Sequence, residues 1–250
     1  MNEIDYKFVH KDFRINGFPI DRERLVVLAV AYVKDGLPYR KSVGRFLLDW
    51  LDDRDYIEAT TSGSTGIPKQ IKLMKQSMVN SALATGEYLN LSPKNRALLC
   101  LPTDFIAGKM MLIRAIVLGL HIDIIRPSSM PLSLTSKNYD FCAMIPLQAA
   151  KSLTDLPRVK KVILGGAAID GELEAKLQNI STEVYSSYGM TETISHIAMR
   201  RVNHTDEPET TYKAMPNVTF SQDERHCLVI AAPNIADHPI ITNDIVKLLS

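Results

Sequence analysis

Two short stretches of this chain combine hydroxyls, glycines and isolated charges at spacings suited to holding phosphate. The first is Thr60-Thr61-Ser62-Gly63-Ser64-Thr65-Gly66-Ile67-Pro68-Lys69. Gly63 and Gly66 free the backbone to turn successive N–H groups inward as an anion nest. The hydroxyls of Thr61, Ser62, Ser64 and Thr65 add donors, and Lys69 adds a positive charge. That set suits the β- and γ-phosphates of ATP. It differs from the G-x-x-x-x-G-K-[ST] loop, because only two residues separate the glycines and Pro68 precedes the lysine. Read by itself, such a run equally suits a surface turn.

The second stretch is Tyr185-Ser186-Ser187-Tyr188-Gly189-Met190-Thr191-Glu192-Thr193. It follows a strand-like run, where the carboxyl end of a strand opens a crevice. Thr191 offers a donor for an α-phosphate oxygen, and Tyr188 a flat face for an adenine ring. Glu192 offers a carboxylate for Mg²⁺, a hard cation that prefers oxygen ligands. A solvated turn carrying one glutamate is the plain alternative.

Thr61 to Lys69 resembles the phosphate-loop signature of acyl- and aryl-CoA ligases, peptide-synthetase adenylation domains and luciferases, the adenylate-forming superfamily. The second stretch resembles that superfamily's Y-G-M/L/Q-T-E signature, in the same order along the chain. The resemblance implies ATP and Mg²⁺ as cofactors, with Lys69, Thr191 and Glu192 catalytic and Glu192 on the metal. It implies nucleotide contacts from Thr61, Ser62, Gly63, Ser64, Thr65, Gly66, Ser187, Tyr188, Gly189 and Met190. Val162-Ile163-Leu164-Gly165-Gly166-Ala167-Ala168 resembles the strand and glycine turn lining the adenine pocket, which adds Gly165, Gly166 and Ala167. Ile241-Thr242-Asn243-Asp244 resembles a T-G-D element whose aspartate binds ribose hydroxyls, which adds Asp244. Asn243 stands where the glycine is usual, and asparagine tolerates a left-handed backbone. A turn residue at a strand start accounts for Asp244 equally well.

Within the superfamily, three features resemble the o-succinylbenzoate–CoA ligase family of menaquinone biosynthesis. Leu101-Pro102-Thr103-Asp104-Phe105-Ile106-Ala107-Gly108-Lys109 aligns with L-P-L-F-H-V-S-G, with Phe105 in place of histidine. Leu164 to Ile169 resembles L-G-G-A-A-I. Arg114 falls where that family carries an arginine associated with the substrate's carboxylate. The resemblance implies an acid pocket including Gly108 and Arg114, with coenzyme A as co-substrate. From helix geometry alone, Arg114 snorkels to the surface or pairs with a structural acid. His196 reads as a satisfied strand histidine. The remaining alternatives are another acyl- or aryl-CoA ligase, a carrier-loading adenylation domain, and a non-catalytic nucleotide-binding domain.

The elements that must position these residues are of the α/β class. From Ala97 to Ser186, strand-like runs alternate with helical ones, which predicts a mostly parallel sheet. Ahead of them, a helix is expected over 42–51, then a hairpin flanking the phosphate loop, then a helix over 76–90. After Tyr188 the pattern predicts strands at 194–200, 228–231 and 245–249. The expected organisation is an α/β AMP-binding core over 1–190 and a β-rich subdomain over 191–250. The superfamily's C-terminal lysine-bearing domain is absent from the chain, so adenylation by this length alone is expected to be impaired.

Bulk composition fits a packed domain, with 46% hydrophobic and 23% charged residues. The net charge of +1 argues against a nucleic-acid-binding surface. Cys100, Cys142 and Cys227 form neither a disulfide framework nor a metal motif. The polar start Met1-Asn2-Glu3-Ile4-Asp5 does not read as a secretory leader. The apolar run 110–125 is broken by Arg114, His121 and Asp123, so no membrane segment is expected. A cytoplasmic location follows, with a small-molecule acid, ATP and coenzyme A as partners.

Overall fold

The computed structural model describes residues 4–60, 70–205 and 210–249. Its centre is a run of parallel strands: β5 (Arg96–Leu99), β6 (His121–Ile124), β7 (Tyr139–Met144), β8 (Val159–Leu164) and β9 (Glu183–Gly189). β1 (Arg14–Ile15) extends it beside β6, and β2 (Phe18–Pro19) turns back antiparallel. At the other end β10 (His196–Arg201) and β11 (Lys213–Ala214) add antiparallel strands. The order across the sheet is β11-β10-β9-β8-β7-β5-β6-β1-β2.

Strands buried on both faces read as continuous apolar runs, as in parallel sheets covered by crossover helices. Ala97, Leu99, Phe141, Ala143, Ile163 and Tyr185 face one core. Their alternates Leu98, Cys142, Val162, Leu164 and Val184 face the other. The first core is completed by α1 (Arg22–Asp35), α2 (Pro38–Leu51), α3 (Lys75–Tyr88) and α4 (Ile106–Leu118). The second is completed by α5 (Pro146–Lys151) and α6 (Gly171–Leu177).

α4 matters most for the site. From Met110 to Val117 every residue is buried, the pattern of a helix enclosed on all sides. It stops at Gly119, which is left-handed (φ 71°) and donates its N–H to the Ala115 carbonyl.

Two smaller sheets complete the fold. β3 (Tyr56–Thr60) and β4 (Gln70–Met74) pair antiparallel, with Thr60 opposite Gln70, as the hairpin expectation requires. β12 (Thr219–Gln222), β13 (Cys227–Ala231) and β14 (Ile240–Ile245) form the other, whose core includes Ile197 and Ala198 of β10.

Three findings differ from the sequence reading. The strand after Tyr188 continues the main sheet by pairing with β9, while only the later strands form a separate sheet. The last strand is Ile240–Ile245, not 245–249. Its polar Thr242-Asn243-Asp244 is held by backbone pairing to β13, which the side-chain pattern does not disclose. Residues 14–35 form β1, β2 and α1, none of them expected. In α1 the run Leu25-Val26-Val27-Leu28-Ala29-Val30 has no apolar period, since only Leu25 and Ala29 are buried. A local signal was present: Asp21 caps α1 by accepting from Arg24 N at 2.8 Å.

Asn203 anchors the strand that leads into the site. It is fully buried, donating from Nδ2 to the carbonyls of Leu177 (2.9 Å) and Thr182 (2.8 Å) and accepting from Val184 N (3.0 Å). Asn203→Leu strands all three buried groups. Urea denaturation should show a loss of about 2–4 kcal/mol, whereas an unchanged midpoint would mean that water or a backbone shift replaces the amide.

Candidate functional site

Two of the stretches expected to touch the nucleotide, those following Leu164 and Tyr185, lie side by side at the carboxyl ends of β8 and β9. Leu164 and Ser186 are register partners, and Ser187 Oγ donates to the Leu164 carbonyl at 3.1 Å. Gly165 follows directly. A Cβ there would lie 2.6 Å from Ser187 Oγ, so a side chain at 165 would push that hydroxyl off the Leu164 carbonyl. Gly166 is left-handed at φ 80°, and Gly166 and Ala167 are exposed at the rim.

Tyr188 reaches across to the small sheet, where its hydroxyl donates to Asp244 Oδ2 at 2.5 Å. Burial and the hydrogen bond to that carboxylate push the phenol's pKa up, so Tyr188 stays protonated and donating. The glycine turn, the Tyr188 segment and Asp244 are therefore neighbours. Asn243 is not left-handed: it lies in β14 and accepts from Arg225 Nη1 at 3.2 Å. The expected T-G-D-like turn is replaced by strand.

Between β9 and β10 the chain makes a braced turn. Thr193 is fully buried. Its Oγ1 accepts from Met190 N (2.9 Å) and shares its proton between the carbonyls of Ser195 (2.7 Å) and Met190 (3.0 Å). Ile194 sits at φ 65°, strained for a β-branched residue. Gly189 is required beneath it, because a Cβ would lie 2.3 Å from the Ser195 carbonyl. The turn carries Thr191 half-buried and Glu192 exposed. Mg²⁺ keeps several waters and binds through one or two carboxylates plus substrate phosphates, so Glu192 alone is a sufficient protein donor. Among the described residues no cluster of three or more His, Cys, Asp or Glu could hold a metal.

Behind this turn lies Arg114, buried in α4 at 3% exposure. Nη2 donates to Ser195 Oγ at 2.6 Å, and Nε donates to Thr85 Oγ1 at 3.3 Å. His196 closes the ring, with Nε2 3.1 Å from Thr85 Oγ1 and Nδ1 3.2 Å from Ser195 Oγ. Burial and Arg114 hold the imidazole well below its ordinary pKa, so it is neutral. Arg114 therefore does not snorkel, and no carboxylate pairs with it among the described residues.

The remaining sequence-predicted residues are less informative here. Thr61, Ser62, Gly63, Ser64, Thr65, Gly66 and Lys69 lie outside the described residues. Gly108 is buried in the first turn of α4 against the Pro102 carbonyl, and Phe105 caps that helix at 65% exposure. Thr85 and Ser195 were missed by the sequence reading. Ser195 lies two residues beyond the quoted signature, whereas nothing in α3 distinguishes Thr85. No described helix is long and apolar enough to cross a membrane.

A parallel sheet with signature turns at its carboxyl edge defines a nucleotide-binding α/β domain. The chain belongs to the AMP-binding enzyme family, which it matches over residues 59–222. It is 26% identical over 173 residues to 2-succinylbenzoate–CoA ligase of Salmonella typhimurium, covering 68% of this chain and 38% of that one. An acyl-CoA synthetase (AMP-forming)/AMP-acid ligase II-like protein from Dyadobacter fermentans superposes with TM-score 0.79 at 34% identity, covering 89% of this chain and 65% of that one. The o-succinylbenzoate coenzyme A synthetase of Bacillus subtilis, solved with ATP and magnesium ion, superposes with TM-score 0.64 at 21% identity, covering 73% of this chain and 42% of that one. The chain thus spans well under half the length of the curated ligase it matches.

Burial lowers the Arg114 pKa from 12.5 to about 10. The unfolded chain holds that proton more tightly, so the cation costs about 3 kcal/mol of stability. The cost is present at every pH below about 10 and is relieved as pH rises toward 12.5. Arg114→Met should therefore raise stability by about 1–2 kcal/mol, with a melting temperature about 2–8 °C higher by calorimetry. A fall of several degrees would mark the guanidinium as a structural requirement.

Proposed function

We propose that this chain carries the nucleotide and acid sites of an acyl-CoA ligase that activates o-succinylbenzoate. In the first half-reaction a substrate carboxylate oxygen attacks the α-phosphorus of ATP, and the bond to pyrophosphate breaks. In the second, the thiol of coenzyme A attacks the acyl-AMP carbonyl and AMP leaves. The chain's part is to hold the reactants in line and neutralise phosphate charge. Lys69 and the loop hydroxyls Thr61, Ser62, Ser64 and Thr65, with Gly63 and Gly66, take the β- and γ-phosphates. Thr191 takes the α-phosphate, and Glu192 holds Mg²⁺, which neutralises phosphate charge. Gly165, Gly166, Ala167, Ser187, Tyr188, Gly189 and Met190 line the adenosine side, and Asp244 takes the ribose. Gly108 and Arg114 belong to the acid side.

The observation that carries the choice of acid is Arg114. A buried guanidinium met only by neutral hydroxyls calls for an anion from outside the chain. o-Succinylbenzoate has two carboxylates, only one of which reacts, and burying the other unpaired would cost several kcal/mol. A guanidinium binds a carboxylate through two parallel hydrogen bonds. The name of the Salmonella relative and the sequence resemblance at Leu101–Lys109 point the same way.

Arg114→Ala should raise the KM for o-succinylbenzoate by roughly one to two orders of magnitude and leave the KM for ATP nearly unmoved. Monocarboxylic benzoates, where used, should be indifferent to it. Unaltered kinetics would remove this acid, and equal loss of ATP and acid affinity would indicate a structural arginine. In pyrophosphate exchange, Lys69→Ala and Glu192→Ala should each cost roughly 10- to 150-fold with the fold intact. Full activity in both would relocate the nucleotide.

A further inference from the structure

The ring of four side chains that includes Arg114 draws on three elements: Thr85 from α3, Arg114 from α4, and Ser195 and His196 from the end of the turn and the start of β10. Their contacts permit one arrangement of protons, which follows from counting donors and lone pairs. Thr85 Oγ1 lies 2.9 Å from the Ser81 carbonyl, which only accepts, so the hydroxyl's single proton points there. Arg114 Nε only donates, and it takes one of the two Thr85 lone pairs. The remaining neighbour of that oxygen, His196 Nε2, must carry a proton and donate to the other.

The same count closes on the far side of the ring. A neutral imidazole protonated on Nε2 bears a bare lone pair on Nδ1. Ser195 Oγ accepts from Arg114 Nη2, and its own proton goes to that lone pair. Protonating His196 would place an N–H against Ser195 Oγ and a second positive charge beside Arg114. Arg114 is the charged group facing the imidazole, with the neutral hydroxyls of Thr85 and Ser195 at the ring nitrogens.

We infer that His196 is a positioning residue. As the Nε2–H tautomer it turns the oxygens of Thr85 and Ser195 into paired acceptors that fix the guanidinium plane. The Ser195 proton is committed to the imidazole, so an anion brought to Arg114 is met by the guanidinium and not by a serine donor. The kinetic consequence rests on the acid-pocket reading of Arg114, whereas the proton arrangement does not.

Long-range ¹H–¹⁵N NMR of the intact protein tests the arrangement directly, with the His196 signal assigned by its loss in His196→Gln. The expected ring has a protonated Nε2 and an unprotonated Nδ1, unchanged from pH 8 to pH 5.5. A protonated Nδ1, or an imidazolium appearing near the ordinary histidine pKa of about 6.5, overturns it. Adenylation kinetics test the role. Gln supplies an amide donor with an adjoining carbonyl acceptor, so His196→Gln should keep the KM for o-succinylbenzoate within about threefold. His196→Leu should raise it about tenfold, with the KM for ATP unmoved as the control for folding. An unchanged acid KM in the leucine variant, or equal losses in both variants, overturns positioning. An Arg114→Ala variant with unchanged acid KM sinks the acid-pocket reading and the kinetic role with it. The NMR arm then upholds or overturns the proton arrangement by itself.

Discussion

A guanidinium enclosed in an apolar helix and met only by hydroxyls is the constraint around which this site is arranged. Residues on every side of α4 are buried, so Arg114 has no route by which to carry its charge to water. Its desolvation is not repaid by a carboxylate among the described residues. What holds it is geometry: α3 brings Thr85 to one edge of the guanidinium and the β9–β10 turn brings Ser195 to the other. Both hydroxyls are themselves held, by the Ser81 carbonyl and by His196. Partial satisfaction of this kind lowers stability, because a buried charge is met by neutral partners alone.

The turn from Gly189 to Ser195 connects that buried charge to the carboxyl end of β9. One residue, Thr193, binds both ends of the turn through a single hydroxyl. It thereby holds Ile194 in a left-handed conformation of the kind that costs on the order of 1–3 kcal/mol. The turn carries Thr191 half-buried and Glu192 exposed, and it holds Ser195 against Arg114. Met190 and Ser195, on either side of Thr191 and Glu192, are thus braced by the same hydroxyl. β10 makes this work by joining the main sheet, because pairing with β9 places Ser195 and His196 over α4.

The parallel core was legible because strands buried on both faces must be apolar throughout, and Leu98-Leu99-Cys100-Leu101 or Val162-Ile163-Leu164 reads so without any contact information. The hairpin around the phosphate loop and the Gly119 stop were legible for equally local reasons. Three things were not. α1 buries two residues and exposes Val27 and Val30, so its apolar run has no period to read. β14 is an edge strand with Ile241 and Ile245 exposed, and its polar centre mimics a turn. The ring around Arg114 draws on residues 29 and 81 positions away, and hydroxyl partners at such separations leave no trace in a linear pattern.

Asp244 shows how a departure from a motif can be absorbed. With asparagine at 243, the aspartate is not lifted on a left-handed turn but lies along a strand, where an exposed carboxylate would ordinarily be free to rotate. The Tyr188 hydroxyl removes that freedom by donating to one carboxylate oxygen. Burial and this bond push the phenol's pKa up, so the hydroxyl keeps its proton and remains the donor. The contact ties the three-stranded sheet to the end of β9, while the bond from Arg225 to Asn243 stays within the small sheet, joining the β12–β13 turn to β14. The small sheet is therefore joined to the carboxyl edge of the large one by the Tyr188–Asp244 contact at the rim and by Ile197 and Ala198 beneath.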